Sequence, residues 1–494
     1  MTTPSDPSPR LLGKRTFDET DQLLFAGASG DHNPMHVDAV AARRLIAGRQ
    51  VVHGVHVFFS ALEFLEHDVE LSSASIDCTF SNPVCVGDPV CFMQRESQAG
   101  AFLLEAVVNG LVCADITITP LDATPQSNQT SALAKGGALP TVLGPLKQPL
   151  NEDPTFHLNR AYRMELTDSD LAVHFPKSCR FLGVKVAASI ASLSYFIGMV
   201  CPGLHSVFSS FSCRLRPAMT GLSYLDLLVR KFDARYRVVD VTFDGPIQGG
   251  ARAFLRPPPQ QQGTAEELAK LVELREFEGT RSLVIGGSRG LGELTAKILA
   301  AGGGKVEITY ASGIEDARRV QNEINASGRG ECTIARLDLT ADDFRVSGLA
   351  PGELNMVFFY ATPRIFRKKA EHFDQDVFAE FCFFYIDRFF ALCSYLENGV
   401  QNRRVLVYLP STVAITDRPR GMAEYAMAKA AAEVLAEEIN ANFKSVSVVS
   451  TRLPRLNTDQ TATIFAAAAE SNVGTLLPLI RRMHAKTRLT LSQE

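Results

Sequence analysis

The hydrophobic pattern divides the chain into two kinds of territory. Residues 55–65 (VHVFFSALEFL) are apolar on most sides, and a helix without a polar face belongs inside a core. Four strand-like runs follow at residues 74–80, 89–95, 101–109 and 112–119, punctuated by Asn82-Pro83, Gly87-Asp88, Gly100 and Gly110. The order predicts an antiparallel sheet wrapped around one helix. Residues 37–46, ahead of it, also read as helical. The layout then recurs. Leu182-Gly183-Val184 precedes a second apolar helix over residues 187–199. The run at 207–214 mirrors residues 74–80, and strands at 223–233, 236–243 and 251–256 complete the set. Such a recurrence predicts an internal duplication. From Arg281 the pattern changes. Apolar runs at 282–285, 305–310, 333–337, 355–359, 404–409 and 445–450 alternate with helical patterns such as 293–301 and 315–326. Strands this apolar, separated by helices, predict a parallel sheet covered on both faces.

Between these stretches the chain loses its period. Residues 121–152 are rich in Pro, Ser, Gln and Gly, and residues 257–279 open on Pro257-Pro258-Pro259-Gln260-Gln261-Gln262-Gly263. Both read as connectors, the second leading into a helix from Thr264. Residues 1–10 are polar and Pro-rich, lack the apolar centre of a signal peptide, and read as a disordered tail. The expected organisation is that tail, a unit over residues 11–120, a connector, a unit over 153–256, a second connector, and a unit over 280–494.

Composition narrows the class. With 46% hydrophobic and 21% charged residues the chain is an ordinary globular one, and a formal net charge of −4 makes no case for nucleic acid or an anionic membrane. No run of apolar residues is long enough to span a bilayer, so no membrane contact is expected. The final Leu491-Ser492-Gln493-Glu494 is not a peroxisomal address. The ten Cys form neither C-x-x-C pairs nor His/Cys clusters, and Cys78, Cys85, Cys91 and Cys113 sit among strand residues. They read as reduced core residues of a cytoplasmic protein, and no metal is expected.

The polar turn Ser29-Gly30-Asp31-His32-Asn33-Pro34-Met35-His36-Val37-Asp38 stands out against the apolar helix that follows it. It sets a carboxylate and an imidazole on one turn, the pair needed to hold and deprotonate a single water. Val51-Val52-His53-Gly54 then heads the buried helix, where the Gly54 N–H is available to polarise a carbonyl. Together these groups can add water across a double bond conjugated to a thioester. The turn and the Val52-His53-Gly54 run resemble the MaoC-like, (R)-specific enoyl-CoA hydratases of hot-dog fold, over residues 11–120. The resemblance implies that Asp31 and His36 hold the catalytic water, that Asn33 orients the turn, and that the Gly54 N–H binds the thioester oxygen. It also implies a double hot dog with one active copy. Residues 153–256 carry no such turn, and Gly183 lacks a preceding His, so that half reads as a degenerate copy. His53 reads as a structural helix-start residue and His56 as a core histidine.

A second constellation lies downstream. Gly286-Gly287-Ser288-Arg289-Gly290-Leu291-Gly292 stands between a strand and a helix, the setting for a dinucleotide pyrophosphate at a helix N-terminus. Tyr425-Ala426-Met427-Ala428-Lys429 places a phenol and an ammonium on one helix face. The ammonium is expected to lower the Tyr425 pKa so that the phenol exchanges a proton with a carbonyl or alcohol. Thr412, with Ser411 beside it, ends the preceding strand and can bond the same oxygen. Glycine loop, hydroxyl, Tyr and Lys in this order resemble the short-chain dehydrogenase/reductases, the ketoreductases in particular, over residues 280–460. The resemblance implies a cofactor held by Gly286, Ser288, Arg289, Gly290, Leu291 and Gly292, with Asp338 at the adenine and Thr458 at the nicotinamide amide. Tyr310-Ala311-Ser312 stands where NAD users place an acid, and Arg289 can meet a 2′-phosphate, so NADP(H) is favoured over NAD(H). The chain also departs from the family. Tyr360-Ala361-Thr362-Pro363 replaces Asn-Asn-Ala-Gly, Tyr385 stands near the Asn that supports a relay water, and Leu453-Pro454 replaces Pro-Gly. These changes imply an unusual substrate pocket or a slow enzyme, and a unit that only binds is the other reading. The Phe-rich residues 373–390 read as a buried helix at a subunit contact, hence a homo-oligomer.

The expected fold is an α+β double hot dog followed by an α/β Rossmann-type doubly wound parallel sheet. The two chemistries are consecutive steps on one acyl chain. The expected function is a bifunctional enzyme that hydrates a 2-enoyl thioester to the (R)-3-hydroxyacyl thioester and interconverts that with the 3-ketoacyl thioester, using NADP(H). Acyl-CoA and acyl-carrier-protein thioesters are both candidate substrates. A biosynthetic ketoreductase/dehydratase pair on a carrier protein would use the same residues in reverse, and a scaffold with a vestigial redox site is the rival from another class.

Overall fold

The computed structural model describes residues 9–491 apart from 46, 67–70, 72, 98–99, 122–139, 168, 217–218, 220, 342–350, 367–372, 401–402 and 463–468. Most of the expected tail and much of the first connector lie outside the described residues. The chain divides between Pro258 and Pro259 into two compact units.

The first unit contains β1 (Arg10–Thr16), β2 (Ala74–Phe80), β3 (Pro89–Arg95), β4 (Phe102–Val108), β5 (Leu111–Pro120), β6 (Thr141–Leu143), β7 (Ala161–Glu165), β8 (Ser206–Leu215), β9 (Tyr224–Asp233), β10 (Val238–Asp244) and β11 (Ile247–Leu255). They form one sheet in the order β1-β3-β4-β5-β2-β8-β11-β10-β9-β7-β6. With β6 set aside, the order is palindromic. Each half runs first, third, fourth, fifth, second strand, counted from its outer edge. The two second strands meet antiparallel at the centre, with Ile76 opposite Cys213 and Cys78 opposite Phe211. This is the symmetry that a tandem duplication leaves. Neither β1 nor β7 was expected from the sequence; β7 has only five residues, and β1 is half exposed, with no buried face to mark it. Arg10 belongs to β1, not to the tail, and β6 interrupts the first connector.

Each half wraps a helix, Gly54–Glu63 in one and Val184–Tyr195 in the other, the latter running on into a π-helical turn at Phe196–Val200. Phe58 and Phe59 are fully buried, and Phe58 meets Phe211 of the other half edge-on, with centroids 5.5 Å apart. Burying such a ring stabilises the fold by roughly 1.5–3 kcal/mol. Residues 11–120 and 153–256 are therefore not separate domains, since they share one sheet and one core. Residues 37–46 do not form the single helix expected. Asp38 adopts an extended backbone between the turns Pro34–Val37 and Ala39–Ala42, and its carboxylate accepts from the Val40 and Ala41 N–H groups. That local bond competes with helix continuation.

The second unit holds β12 (Arg281–Ile285), β13 (Lys305–Tyr310), β14 (Glu331–Arg336), β15 (Met356–Phe359), β16 (Val405–Thr412) and β17 (Val446–Leu453). All pair in parallel, in the order β14-β13-β12-β15-β16-β17. Helices cover both faces. Gly290–Ala301, Ile314–Ala326 and Asn472–Leu491 share a core with Val284 and Ile308, while Phe389–Gly399 and Ala423–Asn442 share one with Leu283 and Val407. The strand order reverses between β12 and β15, which opens a crevice at the carboxyl ends. The second connector is not a free linker. Thr264 and Glu267 cap the short helix Ala265–Leu268, and Leu268, Val272 and Phe277 enter the core of this unit.

Among the described residues no single helix is long and apolar enough to cross a membrane. One bent pair, Pro176–Leu182 with Val184–Val200, passes on length and composition, but most of its apolar residues, Val184 excepted, are buried in the first unit's core.

Candidate active sites

In the first unit, Gly30 ends the helix Glu19–Ser29 in a left-handed conformation (φ 80°), and its N–H donates to the Ala26 carbonyl. A side chain there would be strained, so the glycine is what turns the chain inward. Asp31 and Asn33 follow and are both buried. Asn33 caps the turn Pro34–Val37 through Oδ1 on the Met35 N–H, and its Nδ2 donates to the Gly198 carbonyl at 2.8 Å and the Gly203 carbonyl at 3.1 Å. The turn is thus pinned to the second half of the sheet.

Asp31, His36 and His53 each offer an atom within 4.8 Å of the other two. Asp31 and His36 are not hydrogen-bonded directly, and one bridging water spans such a gap. The Asp31 carboxylate accepts from the Ser194 hydroxyl at 2.7 Å and from the Asn33 N–H at 3.2 Å. Burial outweighs these bonds and raises the Asp31 pKa from its ordinary 3.8 to about 7. His36 Nδ1 lies 2.5 Å from the Val51 carbonyl. A carbonyl only accepts, so Nδ1 carries the proton and Nε2 keeps its lone pair. Burial pulls His36 down to about 4, partly offset by the Val51 bond and reinforced by the charge of Arg256. A neutral imidazole base beside a carboxylic acid able to lose its proton near neutrality is an acid–base pair.

His53 is more than a helix-start residue. Its Nε2 donates to the Asp31 carbonyl at 3.0 Å, and its ring stacks on His36 with centroids 3.8 Å apart. It therefore links the turn that carries Asp31 to Gly54, the first residue of the buried helix. With Nε2 spent on a carbonyl, His53 offers a metal little, and Asp31 and His36 alone are a poor cation site. His56 is a core histidine stacked on Phe25.

The second half is not silent. Ser194 lies in its central helix, and Gly198 in the π-helical turn packs against Asp31 so closely that an added Cβ would overlap both carboxylate oxygens. Gly198→Ala is expected to push Asp31 out of place and, where the Asp31–His36 pair adds water to an enoyl thioester, to lower that rate by about 100-fold, with any NADPH oxidation by the second unit unchanged. Parallel assays of the two activities check it. Ser194→Ala removes the bond that favours the carboxylate. The Asp31 pKa then rises further, and the alkaline limb of the hydration pH profile moves up by about one pH unit. An unmoved limb in kcat/KM would remove Ser194 from the account.

In the second unit the glycine loop leaves β12 as expected. Gly286 has φ 79° and Gly290 φ 59°, and a Cβ on Gly292 would overlap the Gly286 carbonyl, so the helix can approach the strand only without one. Ser288 is buried within the loop, and Leu291 packs on the core beneath it. Thr458 lies against the loop, its methyl 3.9 Å from where a Gly290 Cβ would sit. Asp338 follows β14, and its carboxylate caps Thr340. Arg289 stands 3.6 Å from Asp459, so a 2′-phosphate would compete with that carboxylate for it.

Thr412 stands beside Tyr425 and lowers the pKa of its phenol, whereas the Ser411 hydroxyl turns away and donates to Glu433 at 2.5 Å. Adjacent strand residues face opposite sides, so only one of the two hydroxyls can serve. Ser411 is thereby corrected from candidate catalyst to support. Tyr425 also differs from expectation, since burial pushes it up to about 12, with Thr412 lowering it only in part. Lys429 is fully buried and pulled down to about 7. Its ammonium donates to the Pro410 carbonyl at 2.7 Å and lies 3.6 Å from the centre of the Tyr385 ring, against 5.9 Å for Tyr425. The Tyr385 hydroxyl bonds Thr362 at 2.5 Å. Thr362 and Tyr385, two of the residues that depart from the short-chain dehydrogenase pattern, are thus joined, and the Tyr385 ring meets Lys429.

The model of the MaoC-like domain matches residues 3–100, a span that includes Asp31, Asn33, His36 and Gly54. No curated protein matches the chain. Solved structures similar to it include a short-chain dehydrogenase from Burkholderia cenocepacia in complex with NADP, 22% identical over 42% of this chain and 91% of that one, with a TM-score of 0.34. The angucycline C-6 ketoreductase LanV with bound NADP is 19% identical over 37% and 75%, also with a TM-score of 0.34. FolM alternative dihydrofolate reductase 1 from Brucella suis, in complex with NADP, is 19% identical over 35% and 72%, with a TM-score of 0.31.

Proposed function

From the premise that residues 3–100 form a MaoC-like domain, we propose that the first unit is a double hot dog that hydrates 2-enoyl thioesters to (R)-3-hydroxyacyl thioesters. The observation that carries the reading is the buried pair of Asp31 and His36, held within 4.8 Å without a direct bond. A water between them gives its proton to His36 Nε2 as its oxygen attacks the β-carbon. The Asp31 carboxyl delivers a proton to the α-carbon on the same face. The first-turn N–H of Gly54 has no acceptor within its own helix, and it takes the negative charge that develops on the thioester oxygen. Asn33, His53 and Ser194 hold the pair in place.

The second unit, in this reading, interconverts 3-hydroxyacyl and 3-ketoacyl thioesters with NADP(H). The bound cofactor supplies or accepts the hydride. Gly286, Ser288, Gly290, Leu291 and Gly292 receive its pyrophosphate, and Asp338 and Thr458 stand at its two ends. Arg289 and the absence of an acid at Tyr310-Ala311-Ser312 favour the 2′-phosphate. Tyr425 gives its proton to the ketone oxygen, and Thr412 shares that oxygen. One observation favours a second reading of this unit. The Tyr385 ring lies on Lys429, at a position where the resemblance to the short-chain dehydrogenases implies an Asn, which fits a unit that binds the dinucleotide without turnover.

The test is incubation of the full chain with crotonyl-CoA and NADP⁺, followed by mass detection. The 3-hydroxybutyryl product is expected first and the 3-ketobutyryl product second. Absence of the hydroxy product removes the hydratase reading, and absence of the keto product alone favours the binding-only reading of the second unit.

A further inference from the structure

Arg256 follows β11 in the first unit, where its backbone N–H donates to the His205 carbonyl at 2.8 Å. Its side chain runs inward. Nη2 donates to the Leu204 carbonyl at 2.7 Å, but Nε and Nη1 are buried without a hydrogen-bond partner. Among the described residues no carboxylate pairs with it. An unpaired guanidinium is one of the most costly groups to bury, and a fold that needed only packing there would do better with an apolar side chain. The place it occupies is informative. The Leu204 carbonyl also lies 3.5 Å from Asn33 Nδ2, and the Asn33 N–H bonds the Asp31 carboxylate, so the guanidinium stands one peptide group from the catalytic turn. Its charge is felt at His36 and at His205, whose Nδ1 is likewise buried and unpartnered. The reacting thioester is neutral, and its developing charge already has the Gly54 N–H. A permanent cation beside that centre has no carboxylate partner among the described residues and no task in the hydration itself. It is complementary to a charge that the substrate brings.

We propose that Arg256 is the anion-binding residue of the Asp31–His36 site, and that the thioester accepted there carries an oxyanion group, either a carboxylate on the acyl chain or a phosphate of the carrier arm. The location rests on the hydratase reading, whereas the demand for an anion does not. The test compares wild-type full chain with Arg256→Gln and Arg256→Lys on three substrates. Crotonyl-CoA has phosphates only, crotonyl-N-acetylcysteamine has neither group, and glutaconyl-CoA has phosphates and an acyl carboxylate. A phosphate source raises KM for both CoA esters by about tenfold or more in Arg256→Gln and leaves the N-acetylcysteamine ester unchanged. A carboxylate source raises KM only for glutaconyl-CoA. Arg256→Lys recovers part of either loss. Because the variant relieves an unpaired buried charge, Arg256→Gln is expected to melt no lower than wild type. KM unchanged for all three substrates overturns the proposal. So does an equal rise for all three with a lowered melting temperature, which marks a structural prop. If wild type hydrates none of them, calorimetry with CoA and with glutarate decides. Weaker binding by Arg256→Gln keeps the anion site and removes the hydratase, while equal binding, or none, overturns the site.

Discussion

Asp31→Asn is expected to lower the hydration of crotonyl-CoA by about 10²–10⁴-fold while making the protein more stable at neutral and alkaline pH. The amide cannot deliver the α-carbon proton, so the loss falls on kcat, and a rate equal to wild type by crotonyl-CoA absorbance sinks the assignment. The stability gain follows from burial. The folded state holds the Asp31 proton up to about pH 7, the unfolded chain releases it near 3.8, and in between the folded state binds more protons. Wild-type stability is therefore fully present below about pH 4 and is lost as pH rises through 7, a difference of up to about 4 kcal/mol. The Asn variant has no such loss. Urea unfolding at pH 4 and pH 8 should show the two proteins converging at the lower pH and separating at the higher. The same directions shape catalysis. Hydration needs neutral His36 and protonated Asp31, so kcat/KM should rise through about pH 4 and fall through about pH 7. A profile that keeps rising above pH 8 contradicts Asp31 as the acid.

Tyr425→Phe is expected to abolish ketone reduction by the second unit, by about 10²–10⁴-fold, with NADPH binding retained. Fluorescence titration of NADPH separates the two outcomes, because in the proposed reading the phenol acts on the substrate and the glycine loop on the dinucleotide. Normal reduction by the variant removes Tyr425 from the chemistry. Lys429 adds a pH signature. Below about pH 7 it is an ammonium, and above that it loses its charge, so reduction should decline on the alkaline side. Tyr385 holds that charge through its ring. Tyr385→Leu removes a desolvated cation–π contact and should move the decline about one pH unit lower, whereas Tyr385→Phe keeps the ring and should leave it in place. A decline that stays fixed in Tyr385→Leu breaks the link between the ring and the ammonium.

Local patterns were enough for much of this. The all-apolar run at residues 55–65 had to be a core helix, and the apolar runs after Arg281 had to be parallel strands, since no other arrangement hides them. The turn from Gly30 to His36 was readable because its chemistry is fixed by neighbours in sequence: a left-handed glycine, a capping Asn, a Pro at the first helical position. The glycine loop and the Tyr425–Lys429 pair were readable for the same reason. Thr412 and Ser411 were both candidates on sequence, and strand alternation decides between them.

What sequence could not supply is whatever depends on a partner far along the chain. Ser194 and Gly198 reach Asp31 only because the duplicated half folds back across the central strand pair, and no pattern in residues 184–200 announces a carboxylate. The half that reads as a degenerate copy supplies Ser194 and Gly198 to the surroundings of Asp31. Tyr385 meets Lys429 and Thr362 across separate elements of the second sheet's cover, so a substitution that looked like a loss is a replacement contact. The Tyr425 expectation failed on the same ground. Spacing places an ammonium near a phenol, but burial decides which way both titrate. Residue identity and short-range geometry were determined by the sequence itself. Desolvation, and with it the protonation state of Asp31, His36, Tyr425 and Lys429, was decided only by what the tertiary structure lays over them, because the cost of burying a charge belongs to the surroundings and not to the residue.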